Sequence, residues 1–186
     1  MKYWSSDWHL GHGNVIRFLD RPFESVQEMN DTILKNMFSP LKKGDEFFFL
    51  GDLSWSKSAY QRVFDELPSG VSFHWLLGNH DLKEYKKWEF YCTSISELKH
   101  IKVKGITIAL CHYPMVTWNK SHFNSYMLFG HHHAKGHGIQ NLQQHTEGKM
   151  LNVNCEFNDY KPYSENDIIR IMENKPNNWD LIEKDR

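Results

Sequence analysis

The sequence predicts an α/β fold, and three observations carry that prediction. Short apolar runs recur from residue 2 to residue 129, amphipathic helical patterns separate them, and five of the runs stop on Asp, Asn or His. Lys2–Ser6 leads to Asp7 and His9, and Phe47–Leu50 leads to Gly51 and Asp52. Phe73–Leu77 leads to Gly78, Asn79, His80 and Asp81; Ile106–Cys111 leads to His112; Tyr126–Phe129 leads to Gly130, His131, His132 and His133. In open α/β sheets, ligands collect beyond the carboxyl ends of the strands, where loops converge. One His after a strand means little. Several such ends, delivering carboxylate oxygen and imidazole nitrogen together, describe a cage for two divalent metals.

Each element has its own signal. Ser25 with Glu28 is a capping-box pair, and Val26, Met29, Ile33, Met37 and Phe38 follow at helical spacing, so a helix is predicted over 25–38, ending near Pro40. Phe47, Phe48 and Phe49 read as a strand buried on both faces. A second helix is predicted over Ser58–Leu67 with Tyr60, Val63, Phe64 and Leu67 inward, and a shorter third over Lys83–Tyr91. Ile101 and Val103 alternate with lysines, Lys104-Gly105 turns the chain, and Ile106, Ile108 and Leu110 alternate again, which predicts a hairpin. Gln140–Lys149 reads as a polar loop before a strand at Met150–Phe157. Ser164 with Asp167 opens a final helix through Met172, and the tail after Pro176 docks weakly or frays. With no repeat, low-complexity tract or linker, residues 1–186 are expected to form one domain.

Composition is that of an ordinary globular protein: 186 residues, 40% hydrophobic, 24% charged and a net charge of −1. That balance gives no global steering toward nucleic acid, but two bound dications would add about +4 locally and attract phosphate regardless. Cys92, Cys111 and Cys155 are odd in number with no C-x-x-C pair, so they are expected to be reduced thiols in a cytoplasmic protein. The N-terminus enters a polar, aromatic strand at once, unlike a signal peptide, and no apolar run approaches the roughly 20 residues that span a bilayer. The three adjacent histidines are internal and follow a strand, unlike a purification tag.

The donor types narrow the metal. Carboxylate with imidazole suits manganese, iron or zinc, whereas a structural zinc site would use thiolates. In an extended strand, residues i and i+2 share a face, so Asp7 and His9 are expected to reach one metal together, and His132 is expected to point away from its neighbours. Gly51, Gly78 and Gly130 directly precede ligand types, where a missing Cβ permits a close backbone approach.

These blocks resemble the calcineurin-like metallophosphoesterase superfamily, whose pattern reads D-x-H, G-D, G-N-H-[DE], H and G-H-x-H. Asp7-Trp8-His9, Gly51-Asp52, Gly78-Asn79-His80-Asp81, His112 and Gly130-His131-His132-His133 occur in the same order. Gly11-His12-Gly13-Asn14, then Arg17 and Arg21-Pro22-Phe23, looks like the small single-domain bacterial and phage members. So does Leu151-Asn152-Val153-Asn154 followed by Tyr160-Lys161-Pro162. The resemblance implies two stacked mixed β-sheets flanked by helices, with the metals at one end of the sandwich. It assigns Asp7, His9 and His133 to one ion, Asn79, His112 and His131 to the other, and Asp52 as a bridge between them. A bridging carboxylate holds two cations at the roughly 3.5–4 Å separation of two-metal hydrolysis, which brings the pKa of a bound water toward about 7. Manganese is the first expectation, with iron, zinc or nickel accepting the same donors.

The resemblance also makes His80 a catalytic residue and not a ligand. Asp81 is expected to take a hydrogen bond from its other ring nitrogen and fix its tautomer. Asn14, Arg17 and Arg21 are candidates for binding the substrate phosphate; for the two arginines a helix-face ion pair is an equal reading. His12 and His137 are candidate supports behind the ligands, while His74, His100, His122 and His145 read as surface histidines. Trp8, Trp55 and Trp118 lie beside ligand blocks and read either as core or as cleft walls. Gly51-Asp52 continues as Leu53-Ser54-Trp55-Ser56, without the Arg of the protein-phosphatase branch. The chain is also short for a nuclease that processes DNA ends, and its basic residues form no stripe. The expected partner is therefore a phosphate-ester substrate, a small phosphodiester or a nucleotide or nucleic-acid-like one, with no membrane involved. A phosphomonoesterase and a noncatalytic metal-binding scaffold are the alternatives.

Overall fold

Period-2 alternation in one short strand divides the interior. Phe47 and Phe49 point into one apolar cluster, Phe48 and Leu50 into another. A strand buried on both faces must lie in a sheet covered on both sides. The computed structural model describes residues 1–135 and 148–177. Its strands are β1 (Lys2–Ser5), β2 (Glu46–Leu50), β3 (Ser72–Leu76), β4 (Ser94–Ser96), β5 (Leu98–Val103), β6 (Ile106–Cys111), β7 (Tyr126–Phe129), β8 (Met150–Asn152) and β9 (Tyr163–Ser164). Its α-helices are α1 (Gly13–Phe18), α2 (Val26–Phe38), α3 (Lys57–Glu66) and α4 (Glu165–Glu173).

The result is an α/β architecture with two mixed sheets. One sheet has the order β4-β3-β2-β1-β9, parallel except for β9; the other has the order β5-β6-β7-β8, parallel except for β5. Between them lie Trp4, Phe48, Leu50, Leu76, Ile108, Leu110, Tyr126, Leu128, Leu151 and Val153, joined by Ile168 and Met172 of α4. The far side of the first sheet packs Phe47, Phe49, Phe73 and Trp75 against Met29, Ile33 and Met37 of α2 and Tyr60, Val63 and Phe64 of α3. The far side of the second sheet is smaller, with Ala109, Met127, Phe129, Met150 and Trp118. Within each sheet the strands that precede ligand blocks, β1, β2 and β3 in one and β6 and β7 in the other, run parallel to one another, so their carboxyl ends converge.

The predicted helices form with small shifts. Ser25 caps α2 by accepting the Glu28 N–H at 3.1 Å, but the Glu28 carboxylate turns to the Glu24 N–H at 2.7 Å, so the box is only half closed. Around α4 it closes fully, with Ser164 and Asp167 satisfying each other's backbone N–H groups. The expected helix over Lys83–Tyr91 is instead two 3-10 turns, Tyr85–Lys87 and Glu89–Tyr91. There Trp88 stacks on Tyr60 and Phe64, and Tyr91 on Phe64, so aromatic packing on α3 sets the path. The expected strand over Met150–Phe157 ends at Asn152, because the Asn154 side chain accepts the Glu156 N–H and caps a 3-10 turn over Cys155–Asn158. The hairpin is β5–β6, antiparallel from Leu98↔Cys111 to Val103↔Ile106. Most of the polar segment 140–149 and the tail from 178 lie outside the described residues.

Candidate metal centre

All five apolar runs are strands, and their carboxyl ends bring the ligand blocks together by a route the alternation rule did not give. β1 stops at Ser5, so Asp7 and His9 are not on an extended strand. Both lie in the left-handed backbone region, with φ of 58° and 49°; Asp52 follows at 62° and His131 at 69°. Non-glycine residues seldom adopt this region, and the strain collects where side chains must be aimed. Glycine makes the crowding tolerable. A Cβ on Gly51, itself at φ 91°, would sit 2.7 Å from the Gly78 nitrogen, and one on Gly130 would sit 2.5 Å from Asp7 Oδ2.

Two clusters result. Donor atoms of Asp7, His9 and His133 lie within 4.8 Å of one another, as do those of Asp52, His112 and His131. Asp52 Oδ2 faces both: His9 Nε2 is 3.7 Å away and His112 Nε2 is 3.5 Å away. Asn79 Oδ1 lies 3.1 Å from His112 Nε2, bringing it to the second cluster.

The imidazoles are set in orientation from behind. His112 Nδ1 donates to the Leu50 carbonyl at 2.7 Å, which leaves the Nε2 lone pair free for a cation. His133 Nδ1 donates to Glu156 Oε1 at 2.8 Å and directs its Nε2 toward Asp7 Oδ1, 3.8 Å away. Glu156 in turn holds Arg21, whose Nη2 lies 2.8 Å from the same carboxylate oxygen. Arg21 Nε donates to Glu156 Oε1 at 2.9 Å, while Nη1 and Nη2 donate to the Trp8 and Asp7 carbonyls, both at 2.8 Å. The Arg21 side chain is 0% exposed, so it is not turned to a substrate phosphate; it ties the Asp7 loop to the support of His133. Sequence reasoning gave Glu156 no role. The signal was faint: Asn154 and Glu156 follow a strand end, as the ligands do.

Asp81 also differs from expectation. No hydrogen bond joins it to His80 among the described residues. Its Oδ2 accepts from the Asp52, Gly78 and Trp75 Nε1 N–H groups at 2.7, 2.9 and 3.2 Å, and its Oδ1 from the Leu53 N–H at 3.0 Å and Tyr60 O–H at 3.4 Å. It is fully buried and fastens the loop after β2 to the loop after β3. His80 is fixed through its backbone, whose N–H donates to Asp52 Oδ1 at 3.0 Å, while its ring Nε2 stands 3.9 Å from Asp52 Oδ2.

The donor set fits two divalent cations. His9 Nε2 is buried without a hydrogen-bond partner, an orphan that a metal would satisfy. With its Nδ1 proton committed, His112 Nε2 and the Asn79 oxygen are both acceptors at close range, and a cation relieves that repulsion. Burial, then neighbouring charged histidines, keeps His9 well below the usual histidine range, and burial with His112 nearby holds His131 at about 4. Both rings are thus neutral and ready to coordinate. Burial raises Asp7 to about 6 against the pull of His112 and His133, as expected of a carboxylate placed for a counter-ion. Burial also disfavours charge on His133, but Glu156 and Asp7 outweigh it and raise its basicity.

The other expected residues divide. Asn14 and Arg17 are exposed on α1, and the Arg17 guanidinium lies over the Phe18 ring, 5.4 Å from its centroid. His12 caps α1, its Nδ1 accepting the Val15 N–H at 3.0 Å. Trp8 and Trp118 are core, whereas Trp55 is exposed beside His80. His74 is half-buried and bonds Ser94 Oγ through Nδ1 at 2.8 Å, so it is not a free surface histidine. His137 and His145 lie outside the described residues. No helix among the described residues is long and apolar enough to cross a membrane.

The chain is similar to known proteins over most of its length. An uncharacterised protein of Methanocaldococcus jannaschii is 32% identical over 173 residues, covering 92% of this chain and 90% of that protein. A crystal structure of a protein of unknown function from Aquifex aeolicus superposes with a TM-score of 0.73 at 30% identity, over 92% of this chain and 98% of that one. The family model described as calcineurin-like phosphoesterase matches residues 4–182, which span both clusters. The chain belongs to the calcineurin-like phosphoesterase family.

Proposed function

We propose that the protein is a phosphodiesterase acting on small or nucleotide-like phosphodiesters, with residues 1–186 as one catalytic domain. Asp7, His9 and His133 would hold one divalent cation, Asn79, His112 and His131 a second, and Asp52 would bridge them. Manganese is the first candidate, and iron, zinc or nickel suit the same donors. Such a pair supplies Lewis-acid charge to a phosphoryl group and brings a bound water near neutral pKa. One observation carries the reading: a single carboxylate oxygen, Asp52 Oδ2, faces both clusters and also His80, which belongs to neither.

The chain's own residues supply the rest. His80 Nε2 donates a proton to the leaving oxygen, and the Asp52 carboxylate beside it keeps the ring in place through the His80 backbone. Asn14 and Arg17, exposed on α1, take the non-bridging phosphate oxygens, where a planar guanidinium binds two at once. Asp81 holds the two ligand loops together and moves no proton. The test is hydrolysis of bis-p-nitrophenyl phosphate and p-nitrophenyl phosphate by metal-stripped protein with and without Mn²⁺. Metal-dependent cleavage that favours the diester supports the reading; preference for the monoester makes the protein a phosphomonoesterase, and no turnover with both metals bound makes it a scaffold.

A further inference from the structure

A cavity of about 400 Å³ opens beside His80, and its walls include Trp55, Lys57, Asn79, His80 and Lys83. Two of these walls belong to the block that ends β3, so a molecule in the cavity touches the centre. Trp55 is 53% exposed, whereas Trp4, Trp8 and Trp75 are fully buried. Its indole is fixed all the same: His12 meets it edge-on at 4.4 Å and His80 at a tilt at 4.6 Å. A ring held in this way is a preordered surface for another planar group.

The same wall is electropositive. Lys57 is the first residue of α3, which has no acidic residue in its first turn, so it adds to the positive end of the helix dipole. Helices ordinarily place anions there, and a cation stands at this end at an energetic cost. Lys83 is exposed on the turn after Asp81, and neither lysine is in an ion pair among the described residues. Glu84, the one acidic wall of the cavity, is paired with Lys87 at 2.8 Å, which leaves the two lysines in excess.

We propose that this cavity is the leaving-group subsite and takes a nucleotide, its base on Trp55 and a phosphate beyond the scissile one on Lys57 and Lys83. The inference rests on the phosphodiesterase reading, since a proton donor at His80 must face the leaving group, and His80 is a wall of the cavity. A nucleotide satisfies both features at once: a π-face for the indole and an anion for the lysines.

The test is calorimetric binding to Mn²⁺-loaded protein of ribose 5-phosphate, AMP and adenosine 3′,5′-bisphosphate. AMP is expected to bind roughly tenfold or more tighter than ribose 5-phosphate, the usual contribution of one base–aromatic stack. Trp55→Ala should erase that ratio and Trp55→Phe should keep part of it. The second phosphate should tighten binding further, and Lys57→Gln with Lys83→Gln should remove that gain while leaving the AMP ratio intact. Equal binding of AMP and ribose 5-phosphate, or an unchanged ratio in Trp55→Ala, overturns the base site. A bisphosphate gain that survives loss of both lysines overturns the phosphate site. Hydrolysis of bis-p-nitrophenyl phosphate on the same preparation separates the two readings: turnover without base preference removes the subsite alone, and base preference without turnover removes the phosphodiesterase reading.

Discussion

Glu156→Gln isolates the support behind one metal from the metal ligands themselves. The glutamine has the same shape but no charge, and it sits against three donors: His133 Nδ1 at 2.8 Å, Arg21 Nε at 2.9 Å and the Ala134 N–H at 3.0 Å. Arg21 is left buried without its counter-charge, a change that costs roughly 3–5 kcal/mol of stability. At about 2–4 °C per kcal/mol for a chain of this size, the melting temperature should fall by roughly 6–20 °C. His133 Nδ1 exchanges a carboxylate for a neutral amide oxygen, which lowers the basicity of its Nε2, so affinity at the Asp7–His9–His133 cluster should drop about 10–100-fold. The Asp52–His112–His131 cluster, oriented through the Leu50 carbonyl, should keep its metal. Calorimetric titration with Mn²⁺ reads this as one tight and one weakened equivalent, with circular dichroism confirming a folded protein. Two equivalents at undiminished affinity, or equal weakening of both in a folded variant, would refute the Arg21–Glu156–His133 support.

Four further outcomes are expected. Asp52→Asn should lose turnover and metal at both clusters, since one oxygen serves both; full activity in that variant would remove the two-metal reading. His80→Ala should keep two metals by elemental analysis yet lose roughly 10²–10⁴-fold in kcat, and a fall in metal content would make His80 a ligand instead. Asp81→Asn should show itself in thermal melting before it shows in pH–rate profiles, because a carboxylate accepting five hydrogen bonds becomes an amide that must donate, and losing even one charged bond costs about 1.5–3 kcal/mol. Chelation should lower the melting temperature, and free metal at a hundredfold its Kd should restore about 2.7 kcal/mol; an unchanged melting curve would mean the clusters bind no metal in the folded protein.

Most strands and most helices were legible because their signals are local, whereas the short edge strands β4 and β9 went unread. Phe47–Leu50 alternates between two cores, and Ser164 with Asp167 caps α4 through contacts three residues apart. Elements set by distant packing were less readable. The segment over Lys83–Tyr91 has helix-forming residues, yet its rings stack on Tyr60 and Phe64 of α3 and the chain follows the rings. α1 is a short helix capped by a His side chain, which falls outside the usual Ser, Thr, Asp and Asn signals.

The two donor clusters were legible for a different reason than strand alternation. Asp7 and His9 meet at one cluster through two left-handed residues after β1, not through an extended strand. The convergence of parallel strand ends is robust to that difference, because topology brings the loops together whatever their local conformation. What topology leaves unspecified is which neighbouring polar residues face inward. Asp81, adjacent to His80, turns away to bond Asp52 and Gly78, while Glu156, which is 149 residues from Asp7 by number (156 − 7), turns toward its cluster. Buried carboxylates settle where donors are concentrated: five converge on Asp81, and the His133 ring, the Arg21 guanidinium and the Ala134 N–H converge on Glu156. Adjacency in sequence cannot report that balance, since it depends on which backbone N–H groups the left-handed turns leave unpaired. The supports of a metal centre are therefore harder to read than its ligands, although the ligands depend on them for their aim.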